Sequence, residues 1–499
     1  MQSASTFGGG GRRLPRFVGR LAAVWVAVMA GIVLGPTSTP RPSWASASLA
    51  SLAPVWDPAP VVMVVFDEFP VASLLDQHGR IDEEDFPNFS RLAEDGTWFR
   101  NAVGNHQFTE KALPTILSGV VAPNEGKVPR AADFPRNLFT LLGDRYRVQA
   151  VEPLTELCPD FVCTADPQIV ERPHWSSLDP HLAVVTHRPF LTDDAPQPAI
   201  EQSPEFFDID EASAPPEWDN KSRFFAAVAD DRRGDITRFL DGLNHPLGRD
   251  EFHFGHLLIP HRPWDYLPDG REYLAGYLTG MGPDRWVENE WLVAQDYQKL
   301  QIQVQYADRL IGEMINRLEA HGSYDDTLII VVADHGVSVR PEQHPRRLTP
   351  ETVGDIASVP FFIKRPHQAH GGIDDYRAET VDVVPTVADV LGIDALWTMD
   401  GTSLIATDRP RRNQSTMMSA SPLTFSAGFG EALGIARYHL RLFGDRGPFG
   451  LAPSGYSDLL GQRVDSLAVT DDPREELVLD NPEWYGDMDP AADPLPAQL

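Results

Sequence analysis

Residues 61–66, Val-Val-Met-Val-Val-Phe, form an unbroken apolar run that stops at Asp67-Glu68. A run apolar at every position predicts a strand buried on both faces, as in the middle of a parallel sheet. Residues 327–333 repeat the pattern and stop at Asp334-His335-Gly336. Residues 251–259 predict a third strand, ending at Pro260-His261, and residues 359–363 a fourth. Between these runs the period changes. Leu300, Val304, Ala307, Leu310, Ile311, Ile315 and Leu318 recur at helical spacing and predict a long amphipathic helix over 291–321. Shorter helices are predicted at 87–93, with Gly96 near the end, at 109–119 with Pro114 in an early turn, and at 138–142. Another, at 383–391, is closed by Gly392. Alternating strands and helices give an α/β class with a mostly parallel central sheet flanked by helices.

Other stretches interrupt the alternation. Residues 165–250 are irregular and rich in Pro, Asp and aromatic side chains, which predicts an insertion or cap with helices over 220–243. After residue 395 short strands and turns are expected, at 428–442 and 466–470, as a small C-terminal subdomain (396–499) beside the main domain (61–395). Internal repeats are not evident.

The amino terminus follows a different logic. Arg12, Arg13, Arg16 and Arg20 precede an apolar run over 21–34, followed by a Pro/Ser/Ala-rich stretch to residue 60. This describes an export signal over 1–47, either cleaved near Ala45-Ser46-Ala47 or retained as a single membrane anchor, with a linker at 48–60. Export places Cys158 and Cys163 in an oxidising compartment, where the expected state is a local disulfide. The protein is then extracytoplasmic, secreted or membrane-anchored.

Composition narrows the partners. The 499 residues carry 42 Lys+Arg against 72 Asp+Glu, a formal net charge of −30. A phosphate backbone needs basic groups to neutralise it, so nucleic acid is excluded as a partner. A small anionic substrate is not excluded, because it responds to the local site.

The chemistry collects at strand ends, where open α/β sheets place their ligand sites. Asp67-Glu68, Asp334-His335 and Pro260-His261 all stand at such ends. Hard carboxylate oxygens with an imidazole suit a divalent metal ion such as Zn, Mn, Ca or Mg. The plain alternative is that acidic residues after strands are loop residues or helix caps. His253 and His256 lie earlier on their strand and are read as outside the site.

The order of these segments resembles the sulfatase and alkaline phosphatase superfamily. Asp334-His335-Gly336 after its apolar strand is similar to that family's metal-binding strand end, and Asp67-Glu68 to its amino-terminal acidic pair. Pro87-Asn88-Phe89-Ser90-Arg91-Leu92-Ala93, the strand and helix signatures at 359–363 and 381–387, and Asp400-Gly401-Thr402-Ser403-Leu404 resemble its remaining elements, over roughly residues 60–405. The departure is at the nucleophile. Family sulfatases carry a Cys or Ser, converted to formylglycine, in a C/S-x-P-x-R segment ten residues before the Gly of a turn that Ile116-Leu117-Ser118-Gly119 matches. Here that position is Thr109, with Lys111 and Leu113 at the Pro and Arg positions. The pattern points away from formylglycine. It is similar to the phosphodiesterase and phosphoethanolamine- or phosphoglycerol-transferase branches, where Thr is the metal-activated nucleophile. A helix N-cap is the other role open to Thr109.

The resemblance implies an alkaline phosphatase-like fold and a metal held by Asp67, Thr109, Asp334 and His335, with Glu68 as a further ligand. It implies Thr109, His261 and His344 as catalytic residues, and Lys111, His261 and His344 as substrate-binding ones. The implied function is hydrolysis of a small or lipid- or glycan-linked phosphate or sulfate ester through a covalent Thr ester. Phosphoryl transfer and non-catalytic binding on the same scaffold are the alternatives.

Overall fold

The computed structural model describes residues 58–123, 129–163, 232–273 and 278–449. The expected export segment, most of the linker, the larger part of 165–250 and the expected strand at 466–470 lie outside these residues.

Nine strands are described: β1 Val61–Asp67, β2 Thr97–Phe99, β3 Arg147–Val151, β4 Glu251–Pro260, β5 Leu328–Ala333, β6 Phe361–Lys364, β7 Gly372–Asp374, β8 Ser415–Met417 and β9 Leu423–Phe425. The helices are α1 Pro87–Asp95, α2 Thr109–Ser118, α3 Leu138–Leu142, α4 Arg232–Asp241, α5 Glu290–Ala320, α6 Val353–Ala357, α7 Val383–Val390 and α8 Phe429–Phe443. Seven strands form one sheet in the order β3-β4-β1-β5-β6-β2-β7, and β8-β9 form a separate hairpin. β3, β4, β1 and β5 are parallel neighbours. β6 is antiparallel to both β5 and β2, while β2 and β7 pair in parallel. The expected parallel sheet is therefore present, with β6 as the inverted member.

The apolar runs explain the layering. Alternate residues of a strand point to opposite faces. Val62, Val64 and Phe66 join Phe89 of α1 and Leu300, Val304, Leu310 and Ile311 of α5 in one core. Val61, Met63 and Val65 join Leu113, Ile116 and Leu117 of α2, Phe139 of α3 and Val383 and Val387 of α7 in the other. β1 and β5 are buried along their whole length. Because β4, β1 and β5 are adjacent and parallel, their carboxyl ends meet on one edge of the sheet.

Two expectations need correction. Residues 428–442 were expected as short strands and turns, but Phe429–Phe443 is a helix. Its Ala432, Ile435, Ala436 and Phe443 join the core that contains α5. Their spacing is helical, and Gly428, Gly430 and Gly434 hide it in the sequence. The strand expected at 359–363 begins at Phe361 and runs against β5. The Cys158–Cys163 disulfide forms as expected, with a Cα–Cα distance of 5.9 Å. None of the described helices is long and apolar enough to cross a membrane.

The long helix also caps its neighbour. Asp308 on α5 accepts from the amides of Asn88 and Phe89 at 3.0 and 2.8 Å and from the Asn88 side chain at 2.7 Å, satisfying the open N-terminus of α1. Asp308→Ala should therefore lower unfolding stability by about 2 kcal/mol. A denaturant unfolding midpoint unchanged from wild type would contradict that capping role.

Candidate functional site

Asp67 ends β1 and Asp334 follows β5; both side chains are fully buried. The amides of Glu68 and His335 both donate to Asp334 Oδ1, at 3.1 and 2.6 Å. Asp334 Oδ2 is buried with no hydrogen-bond partner. Glu68, also fully buried, has φ +59°, a left-handed conformation costly for a residue with a Cβ. That turn lets consecutive acidic side chains leave the strand end in different directions. Gly336 is required by close approach: a Cβ there would lie 2.2 Å from the Asp355 carbonyl.

Thr109 opens α2. It is the first helical residue, not the N-cap, which is Phe108. Its hydroxyl faces the Asp67 carboxylate at 3.4 and 3.5 Å and His335 Nε2 at 3.3 Å. The N-cap alternative is thus set aside. Thr109 also sits at the positive end of the helix dipole, which favours an incoming anion.

The histidine tautomers follow from their partners. His335 Nδ1 lies 3.1 Å from the Gly336 carbonyl, so it carries the proton and leaves the Nε2 lone pair facing Thr109. His261 is held in the same way, Nδ1 to the Arg262 carbonyl, with Nε2 facing inward. Burial pushes the His335 pKa well below the ordinary value and His261 down to about 3, so both are neutral. The His261 carbonyl is fixed by Arg232 Nη1 at 3.1 Å and Gln303 Nε2 at 2.8 Å.

One guanidinium joins these groups. Arg346, 5 % exposed, donates from Nε to Glu68 Oε1 at 2.9 Å, from Nη1 to His335 Nε2 at 3.0 Å and from Nη2 to His261 Nε2 at 2.7 Å. Burial raises the pKa of Glu68, but the guanidiniums of Arg346 and Arg262 offset it and hold the carboxyl well below the usual range. Asp67 differs. Burial dominates there, assisted by Glu68 and opposed by Arg346, and pushes its pKa up to about 7. Asp334 is raised well above the ordinary value by burial and by Asp67.

Asp67, Asp334 and His335 offer ligand atoms that all lie within 4.8 Å of one another. Two buried acids that resist ionisation, an orphaned carboxylate oxygen and an imidazole lone pair fit a hard or borderline divalent cation. Without one, Asp334 Oδ2 has no partner, while His335 Nε2 accepts from Arg346, a bond that a bound cation would displace.

Of the residues expected from sequence, Asp67, Glu68, Thr109, Asp334, His335 and His261 converge. His344 has a different position. Half-buried, its Nδ1 accepts from the amides of Arg346 and Arg347 at 3.0 and 2.9 Å, which shapes the turn that delivers Arg346. Lys111 is half-buried on α2, and its carbonyl accepts from Thr115. Arg346, Arg262 and His256 were missed. His256, read as outside the site, is fully buried with Nε2 3.4 Å from Asp67 Oδ2, and neither ring nitrogen has a hydrogen-bond partner. Its pairing position opposite Val65, two residues before Asp67, was the available signal.

Comparison with known proteins bears on this arrangement. Residues 203–393 match the Sulfatase family model. That stretch of the chain is similar to the Sulfatase family. The stretch matched to that family contains His256, His261, Asp334, His335 and Arg346; Asp67 and Thr109 precede it. The chain is 33% identical over 110 residues to a lipoteichoic acid synthase of Staphylococcus saprophyticus, covering 21% of this chain and 17% of that protein. It is 35% identical over 108 residues to a lipoteichoic acid synthase of Staphylococcus aureus, covering 20% and 17%. The chain thus matches only about a sixth of the length of these curated relatives. Similar solved structures include a phosphonate monoester hydrolase from Silicibacter pomeroyi, at 19% identity and TM-score 0.48, covering 72% of this chain and 79% of that one. BT1596, a 2-O GAG sulfatase, aligns at 14% identity and TM-score 0.47, covering 72% and 77%.

The buried Glu68–Arg346 pair is open to a direct test. Arg346→Gln leaves Glu68 buried without its main cation and should cost about 3–5 kcal/mol. Glu68→Gln/Arg346→Gln should recover much of that loss, because no uncompensated charge remains. Additive losses in the double variant, read from denaturant unfolding, would contradict the pairing.

Proposed function

We propose that this chain is a metal-dependent hydrolase of phosphate or sulfate esters that uses Thr109 as a covalent nucleophile. The carrying observation is the Thr109 hydroxyl, which opens a helix 3.3 Å from His335 Nε2 and 3.4 Å from Asp67, beside the orphaned oxygen of Asp334. Asp67, Thr109, Asp334 and His335, with Glu68 alongside, would hold the cation. Such an ion, when bound, lowers the pKa of a coordinated hydroxyl and screens an anionic ester.

The chain's own residues do the rest. Thr109 Oγ gives its proton to the facing Asp67 carboxylate and attacks the phosphorus or sulfur in line; the ester bond breaks and the leaving alkoxide takes a proton from water. The N-terminus of α2 attracts the anionic group. Arg346 and Arg262 place fixed positive charge where the oxyanion develops, and His261 acts through Arg346, its neutral Nε2 accepting from the guanidinium and holding it in place. Water then attacks the Thr109 ester and releases it. The expected organisation belongs to the same proposal. It comprises export by residues 1–47, a catalytic unit over 61–395 with 165–250 shaping the substrate pocket, and a C-terminal piece. The substrate class is a small or lipid- or glycan-linked ester.

A second reading, transfer of the phosphoryl group to an acceptor alcohol, is favoured by the local identity to proteins named as synthases. Both readings share Thr109 and differ only in what removes the ester.

Purified protein loaded with Mn or Zn should hydrolyse at least one of a bis-aryl phosphate, an aryl phosphate and an aryl sulfate. EDTA should abolish the activity and metal restore it. Thr109→Ala should lose about a thousandfold or more, and the Thr109 peptide of wild type should carry a phosphoryl or sulfuryl adduct by mass spectrometry. An active Thr109→Ala protein would overturn the nucleophile. Added glycerol diverting product into a new diester would favour transfer.

A further inference from the structure

The opposite end of β4 carries a second constellation. His245 lies in the loop after α4; Glu251 and His253 open β4 and share one face of it. His245 Nε2 is 2.9 Å and His253 Nε2 3.2 Å from the same oxygen, Glu251 Oε2. All three ligand atoms lie within 4.8 Å of one another. His253 pairs with Val62, five residues before Asp67, so this group is about 17 Å from the Asp67 cluster by strand rise and shares no residue with it; neither metal-binding proposal depends on the other.

The donor set has a definite chemical character. Two imidazole nitrogens and one carboxylate oxygen match the ligand types of zinc and similar first-row cations. A tetrahedral ion with bonds of about 2.1 Å sets its ligand atoms about 3.4 Å apart; the two His–Glu251 distances, now hydrogen bonds, would open by about half an ångström or less as the ion replaces their protons. His253 and Glu251 are buried, with side chains 4 % and 8 % exposed, while His245 is 45 % exposed and leaves an entry path. Arg147 now pairs with the other oxygen, Glu251 Oε1. Arg147 is largely exposed and already lies 3.8 Å from exposed Asp250, which can take over its charge. Burial lowers the pKa of His253, which favours the neutral imidazole a cation needs.

We propose that His245, Glu251 and His253 form a second divalent-cation site, of zinc type, which fastens the α4–β4 loop to the start of β4. Its role is to stabilise the edge of the sheet where β3 pairs with β4, and not to take part in ester chemistry. The fourth position is left to water.

The test uses the full chain dialysed against zinc and then against metal-free buffer. Asp334→Ala disables the other cluster. That variant should retain about one zinc per chain, and its Tm should rise by several degrees with zinc. His245→Ala/His253→Gln added to Asp334→Ala should remove both the retained zinc and the Tm shift. Cobalt(II) added to Asp334→Ala should give the intense visible absorption of a four-coordinate nitrogen/oxygen site. Because that readout needs no further variant, it decides the matter even if the triple variant does not fold. Zinc retention unaffected by the histidine changes, no zinc in Asp334→Ala, or only the pale spectrum of six-coordinate cobalt would each overturn the proposal.

Discussion

Asp67, Glu68 and Asp334 lie fully buried where two parallel strands end, and the rest of the site follows from how their charge is compensated. Two carboxylates about 4 Å apart repel by about 4 kcal/mol even at an effective dielectric near 20. Arg346 answers part of that charge, mostly at Glu68. Asp67 and Asp334 are left as reluctant acids. One carboxylate thus anchors the loop cation, and two remain for a ligand of opposite charge. The protein's net charge of −30 says little about this balance, which is set by a handful of groups in a few ångströms.

The fold makes that crowding unavoidable. The two-faced burial of β1 and β5 requires helices on both sides, and their parallel direction brings their ends to one edge. α2 packs on the Val61–Met63–Val65 face, so its first residue meets the carboxylate of Asp67 on that same face. His256 projects from the neighbouring strand to the same place. The Arg346 loop closes over the other side, shaped by His344. Core packing and site geometry are therefore coupled. A change that shifted β1 against β5 would separate Asp67 from Asp334 before it exposed either.

The parts legible in the sequence were those with an unbroken or periodic apolar signal. β1 and β5 announce themselves as apolar runs with charged ends, and α5 as a long helical stripe. The site residues that stop those runs were found for that reason. Arg346 and Arg262 were missed because a loop arginine has no periodicity; its role depends on which buried acid it reaches. His256 was missed because strand position was judged along β4 alone, without the neighbouring strand's register. α8 was missed because its glycines resemble turn signals, although its apolar residues pack at helical spacing.

Proton release on metal binding tests the central claim most directly. Burial raises the pKa of Asp67 to about 7 and that of Asp334 well above the ordinary carboxylate value, which favours their protonated forms, so a cation bound between them displaces protons. Calorimetric titration of metal-free protein with zinc or manganese, in buffers of different ionisation enthalpy at pH 7, measures that number. The predicted result is net proton release on filling this cluster, lost in Asp67→Asn/Asp334→Asn. Binding with no proton release, or release unchanged in that double variant, would contradict the account.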